Sequence, residues 1–243
     1  MNELLVVDLG TLPYAAALEL QRDVARRRIS GEIDQDVLLL VEHPPVVTLG
    51  RTAKGANLIA SPAYLASQGV ELFDVERGGD ITFHGPGQLV GYPIMDLKRH
   101  RRDLHWYLRQ VEEALIQAVA TFGLSGGRVE KYTGVWVDVA TGSPRKLASI
   151  GVHARDWVTW HGFALNVNTE LRYFDLIVPC GIGGITMTSV ARELEQGSVD
   201  MRAARDAVAR AFAATFALVS RVVERAALVG REMPAVTVGG PSR

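Results

Sequence analysis

The sequence predicts an α/β (α+β) chain, a single mixed-sheet domain flanked by helices, and three observations carry that expectation. Apolar residues recur at helical spacing in separate segments, shorter segments are rich in β-branched and aromatic residues, and no repeat or low-complexity linker divides them. Pro13 to Ser30 is expected to be helical, with Pro13 in the first turn, Leu18, Val24 and Ile29 on an apolar face, and Gly31 as its end. Val37 to Val41 is a continuous apolar run, which predicts a buried strand. His43-Pro44-Pro45 breaks it, and Val46 to Leu49 resumes as extended chain. Ser61-Pro62 opens a short helix that Gly69 closes. Val70 to Val75 alternates like a strand, Arg77 to Asp80 interrupts, and Ile81–Phe83 and Leu89–Met95 are expected to be extended.

Asp103 is expected to cap the central helix, whose Leu104, Leu108, Val111, Leu115, Val119 and Phe122 keep helical spacing until Gly123. The period then changes. Gly134–Val139, Lys146–His153 and Val158–Val167 are rich in strand formers, with Thr141-Gly142-Ser143-Pro144 as a turn. Asp200 caps a last helix, expected to run through Val208, Phe212, Phe216, Val219 and Val222. Residues 1–227 are expected to form the domain and 228–243 a flexible tail.

Composition narrows the function classes. The 243 residues are 48% hydrophobic and 22% charged, which suits a globular core. A net charge of −1 supplies no global field to attract nucleic acid or an anionic membrane. No run approaches the roughly 20 apolar residues of a membrane span, and Met1 to Leu5 lack the features of a signal peptide. The one cysteine, Cys180, cannot form an internal disulfide, which points to a reducing, cytoplasmic setting.

Chemistry concentrates in a few segments. Cys180 sits in Pro179-Cys180-Gly181-Ile182-Gly183-Gly184, a loop with little side-chain bulk around the thiol. Arg77 to Gln88 holds four glycines, Arg77 and His84 in twelve residues, more than two tight turns require. It lacks the Gly-Lys-Ser/Thr ending of a phosphate loop and the spacing of a dinucleotide fingerprint. Lys146 starts the strand Lys146-Leu147-Ala148-Ser149-Ile150-Gly151 after a turn, and Trp160 to Asn168 reads as a strand with Gly162 where a ligand or backbone could come close. Lys98-Arg99-His100-Arg101-Arg102 is either a docking patch for an acidic partner or a solvated loop.

The order of Glu42–Arg51, Arg77–Gln88, Lys146–Gly151, His161–Asn166 and Pro179–Gly181 closely resembles the lipoyl(octanoyl) transferase family, from near residue 5 to about residue 220. The resemblance implies the catalytic fold shared with lipoate and biotin protein ligases. It implies Cys180 as the residue that carries the acyl thioester and Lys146 as its partner. It implies an acyl site made by Arg77, Gly78, Gly79, Asp80, Ile81, Thr82, Phe83 and His84, by Ser149, Ile150 and Gly151, and by Gly162, Phe163 and Ala164. The implied donor is octanoyl-acyl carrier protein. The implied acceptors are lipoyl-domain proteins such as the glycine cleavage H protein and 2-oxoacid dehydrogenase E2 subunits. No metal, organic cofactor, nucleic acid or membrane is called for, and a monomer is expected. Gly78, Gly79 and Gly162 are expected to give the acyl chain room. The competing readings are an ATP-dependent lipoate ligase, a thioesterase and a non-catalytic binder of carrier proteins.

Overall fold

A computed structural model of the protein describes residues 3–228. The tail expected over 228–243 lies, apart from Leu228, outside the described residues. The elements, in order, are strand β1 (Glu3–Thr11), helix α1 (Tyr14–Ser30), β2 (Asp36–Glu42), β3 (Val46–Leu49), α2 (Pro62–Ser67), β4 (Glu71–Asp74), β5 (Ile81–His84) and β6 (Gln88–Ile94). There follow α3 (Leu104–Ala120), β7 (Gly127–Val129), β8 (Tyr132–Val137), β9 (Arg145–Arg155), β10 (Val158–Asn166), β11 (Thr186–Met187), α4 (Val190–Glu193), α5 (Met201–Thr215) and β12 (Val219–Val222).

Nine strands form one mixed sheet in the order β12-β1-β2-β6-β10-β9-β8-β7, with β11 added beside β9. A second, three-stranded sheet in the order β4-β3-β5 holds Val46–Leu49 and Ile81–Phe83 apart from it. The large sheet is covered on both faces. Leu38 and Leu40 of β2 face the layer formed by α3 and α5, whereas Val37, Leu39 and Val41 face α1. Two-sided burial explains the uninterrupted apolar run at 37–41, because each side chain there enters one core or the other. Fully burying one such side chain contributes about 1.5–3 kcal/mol.

Most helix ends follow local chemistry. Ser61 accepts from Tyr64 N, Asp103 from Trp106 N and Asp200 from Arg202 N, each capping its helix. Pro13 stands one position before α1 as its cap rather than in the first turn, and Gly31 leaves α1 left-handed at φ 82°. The last helix is shorter than expected. It ends at Thr215, Ala217 turns left-handed at φ 52°, and Leu218 N returns to Ala213 O. Val219 and Val222 therefore leave the helix and form the exposed edge strand β12, parallel to β1. Pairing with β1, which carries no helical register, outweighs the periodicity there.

The basic run at 98–102 is largely engaged by the protein's own acids. Lys98 pairs with Asp96, Arg99 with Asp34, His100 with Asp36 and Arg101 with Asp103. Among the described residues, Arg102 is the one of the five without such a pair. The deepest of these pairs sits in a buried cluster, where Asp36 receives Arg28 at 3.1 Å, His100 at 2.6 Å and the backbone N–H of Asp96 at 2.9 Å. Removing one member of such a cluster strands buried charge. Asp36→Ala is expected to lower stability by roughly 3–5 kcal/mol in urea denaturation; a change within about 0.5 kcal/mol would show that the cluster is not needed.

Candidate active site

A cleft of about 530 Å³ opens beside the junction of β9, β10 and β6. The segment 77–82, Leu104, His105 and Leu108 of α3, residues 131–133 and the turn carrying Cys180 complete its walls. Its size is that of a small-molecule site.

Lys146 and Cys180 meet in this cleft. Nζ of Lys146 donates to Sγ of Cys180 at 3.2 Å, and Oγ of Ser149 stands 3.6 Å from the same sulfur. Several neighbours hold the lysine. Its residue is only 1% exposed, and Nζ lies 5.0 Å from the centroid of the Trp136 ring. Gly134, at φ 138°, leaves the space it needs, since a Cβ there would fall 2.9 Å from Lys146 Cε and 2.5 Å from Ala148 O. Just before it, Arg145 is clamped by Glu193 at 2.7 Å and Asp138 at 2.5 Å. A polar chain supports the backbone: Gln88 donates to Asn166 Oδ1, Asn166 to Thr188 O, and Thr188 N to Lys146 O.

Cys180 is partly exposed and sits on a single 3-10 turn, Pro179–Gly181, with left-handed backbone at φ 58°. Strained backbone of this kind recurs at functional sites. The turn is pressed onto the segment beside it. Val178 N bonds Asn57 O, Asn57 Nδ2 donates to Asp80 Oδ2, and a Cβ on Gly181 would collide with that carboxylate.

The cleft gathers Arg77, Gly78, Gly79, Asp80, Ile81, Thr82, His84, Ser149, Ile150, Gly151, Gly162, Phe163 and Ala164 around Lys146 and Cys180. Phe83 is the exception. It stacks on Tyr173 at 4.7 Å within a separate apolar cluster. The glycines also act differently from the expectation. A Cβ on Gly162 would overlap Gly91 O and come 2.5 Å from Pro93 Cδ; one on Gly151 would come 2.7 Å from Gly78 O. Gly162 thus admits the neighbouring strand rather than an acyl chain, and Gly151 admits the 77–78 segment. Gly78 and Gly79 are less crowded, their Cβ positions meeting Val152 O at 3.3 Å and Arg77 Nη1 at 3.6 Å.

Sequence reasoning missed Tyr14, Val90, Tyr92, Tyr132 and the side chain of His161. Tyr14 looked like the first residue of an ordinary helix, and Val90 and Tyr92 like a plain strand. Tyr14, His43, His84 and Tyr92 form an aromatic cluster with ring centroids 5.3–6.0 Å apart. Burial pushes the His43 pKa down to about 4 and His84 down to about 3. Both rings are therefore neutral at neutral pH. His43 Nδ1 donates to Leu12 O and its Nε2 accepts from Tyr92; His84 Nδ1 donates to Gln88 Oε1. Arg77 is buried, donates to Thr48 O and Oγ1 at 2.8 Å, and has its pKa lowered by burial. Among the described residues no group of three or more His, Cys, Asp or Glu could hold a metal ion, and no helix is long and apolar enough to cross a membrane.

The chain is similar to known proteins. Residues 13–213 match the lipoyl protein ligase A/B catalytic domain. The chain is 57% identical over 187 residues to an octanoyltransferase of Rubrobacter xylanophilus, covering 76% of this chain and 81% of that one. It is 48% identical to an octanoyltransferase of Acidobacterium capsulatum, over 87% of this chain and 89% of the other. An octanoyltransferase of Myxococcus xanthus is 49% identical over 89% of this chain, but the match spans only 60% of that longer protein. Among solved structures, a bipartite lipoate protein ligase from Thermoplasma acidophilum, reported with its E2 lipoyl domain, superposes with a TM-score of 0.72 at 19% identity. That match covers 92% of this chain and 88% of the other, and it shows a shared fold.

Two predictions follow from this geometry. Unfolding restores the ordinary histidine pKa of 6.5, so the unfolded chain binds protons that His43 and His84 refuse. The stability these two rings contribute is fully present above about pH 6.5 and is lost as pH falls to about 4 for His43 and about 3 for His84. Urea midpoints should drop over that window and drop less steeply in His43→Gln; identical slopes would refute the assignment. Iodoacetamide should alkylate Cys180 at least about tenfold faster in the wild type than in Lys146→Ala, because only a thiolate reacts rapidly. Equal rates would remove the lysine from the thiol's activation.

Proposed function

This chain belongs to the lipoyl protein ligase A/B catalytic-domain family, among its octanoyltransferases, and on that premise we propose that Cys180 carries the octanoyl group as a thioester. The chain is an acyltransferase of protein lipoylation. The observation that carries the mechanism is the 3.2 Å contact between Lys146 Nζ and Cys180 Sγ in a cleft.

The donor on this reading is octanoyl-acyl carrier protein. The Cys180 thiolate attacks its thioester carbonyl, the bond to the carrier's sulfur breaks, and the leaving thiolate takes the proton held by Lys146. One thioester replaces another at little energetic cost. A lysine amine of a lipoyl domain then attacks acyl-Cys180. Lys146, now neutral, accepts a proton from that amine, an amide forms, and the cysteine departs as thiolate. Amide formation from a thioester runs downhill, so no nucleotide is consumed. Sulfur suits the task as a strong nucleophile and a good leaving group.

The tetrahedral intermediates need a donor to their oxyanion. We assign the backbone N–H of Ile150. Val152 O accepts from Gly78 N, on the side of β9 away from β10. Residues two apart in a strand point their backbone groups the same way, so Ile150 N–H faces that side too, beyond the last β8 partner at Ala148. Cytoplasmic residence suits a chain that depends on a reduced thiol. Transfer to water would make the chain a thioesterase, and the need for an acceptor amine separates the two.

Intact mass spectrometry after mixing with octanoyl-carrier donor should show one octanoyl adduct on the wild type and none on Cys180→Ala. Lys146→Ala should lower kcat/KM by about 10²–10⁴, the usual worth of a positioned acid–base group. An adduct that persists without Cys180, or undiminished turnover without Lys146, would overturn the mechanism.

A further inference from the structure

Helix α3 carries one residue that its apolar stripe does not explain. Leu104 and Leu108 line the cleft, and one turn further along the same face stands Glu112. This glutamate is fully buried. A carboxylate taken out of water is costly unless its oxygens are matched, and the reaction as proposed gives this one no task.

The two oxygens are matched differently. Oε2 accepts from both neighbouring cations, Arg109 Nη1 on the same helix at 2.6 Å and Arg128 Nε on β7 at 2.9 Å. Both arginines are partly exposed, and Arg128 also donates to Glu113 at 2.8 Å. Oε1 accepts from the backbone N–H of Gly134 at 3.0 Å. Gly134 has no partner residue in the register of β8 with β7 or with β9. Its anchor comes from the helix instead.

Gly134 is also a wall against Lys146. At φ 138° it lies so close that a Cβ there would fall 3.5 Å from Nζ. Trp136, two positions further along β8, pairs with Lys146 in register and presents its ring to Nζ. A lysine stem is flexible. What keeps Nζ 3.2 Å from Cys180 Sγ is therefore the packing on its other sides.

We infer that Glu112 is a positioning residue: by holding the Gly134 N–H through Oε1, it fixes the wall that keeps Lys146 on Cys180. Glu112 does not itself line the cleft; it acts through Gly134 and the lysine. The inference rests on the reading that Lys146 activates the thiol.

The test separates reach from charge. Glu112→Asp keeps the charge, which the partly exposed arginines can follow, but draws the oxygens back by one methylene from a strand that cannot follow. Glu112→Met fills the space with no acceptor at all. Glu112→Gln keeps the reach and an oxygen for Gly134 but gives up the charge. Each is compared with the wild type and with Lys146→Ala by the rate of iodoacetamide alkylation of Cys180 at neutral pH, on samples that unfold cooperatively in urea. Glu112→Asp and Glu112→Met should be alkylated about fivefold more slowly than the wild type, the worth of one hydrogen bond. Glu112→Gln should stay within about twofold of it. Added to Lys146→Ala, Glu112→Asp should slow the reaction no further, because nothing is left to position. Wild-type rates in whichever of the Asp and Met variants folds would overturn the inference. So would a Glu112→Gln as slow as Glu112→Asp, which would assign the effect to charge, or further slowing on top of Lys146→Ala. Lys146→Ala alkylated at the wild-type rate would refute the lysine reading instead, which separates the two failures.

Discussion

A buried lysine whose one hydrogen-bond partner among the described residues is a sulfur stands at the centre of the site. Lys146 has no carboxylate beside it among the described residues; it has Cys180 Sγ and the face of Trp136. Taking a charge out of water costs several kcal/mol unless it is matched. In the proposed mechanism Cys180 Sγ is the group that meets it. The features nearby keep that pair in register. Gly134 leaves space for the lysine stem, Arg145 is fastened by two carboxylates, and the Gln88–Asn166–Thr188 chain ties the lysine's backbone to the cleft wall.

The sulfur's position is bought with strain. A non-glycine residue at φ 58° costs of order 1–3 kcal/mol, and the contacts of the turn with Asn57 and Asp80 offset it. The turn and the 77–84 segment are thus linked through Asn57, which bonds Val178 N on one side and Asp80 on the other. The glycines around the cleft share one role in this frame. They allow main chain to approach main chain, which sets where the cleft stops as well as where it opens. A pocket closed by backbone is stiffer than one closed by side chains, because strands cannot change rotamer.

Local physics was legible in the sequence and carried much of the fold. Ser61, Asp103 and Asp200 each cap the helix they were expected to cap, since a cap depends on residues within one turn. The apolar run at 37–41 is a strand buried on both faces. What escaped depends on distant partners. Strand β1 has no partner near it in sequence, and β12 looked like more helix until β1 was there to pair with it. Phe83 sits in the expected segment but packs on Tyr173, a partner distant in sequence. His161 turns left-handed at φ 55°, a conformation its apolar neighbours gave no reason to expect.

The sequence by itself determined which residue types the site contains, where the helices begin, and the family to which the chain is alike, because these depend on residue identity and on neighbours within a few positions. Only the tertiary structure decided that Lys146 and Cys180, 34 positions apart, stand 3.2 Å from each other, that main chain packs against main chain at Gly151 and Gly162, and that Tyr14 lines the cleft. Those outcomes follow from strand order and register, which are settled when the whole sheet pairs and cannot be computed from any one segment.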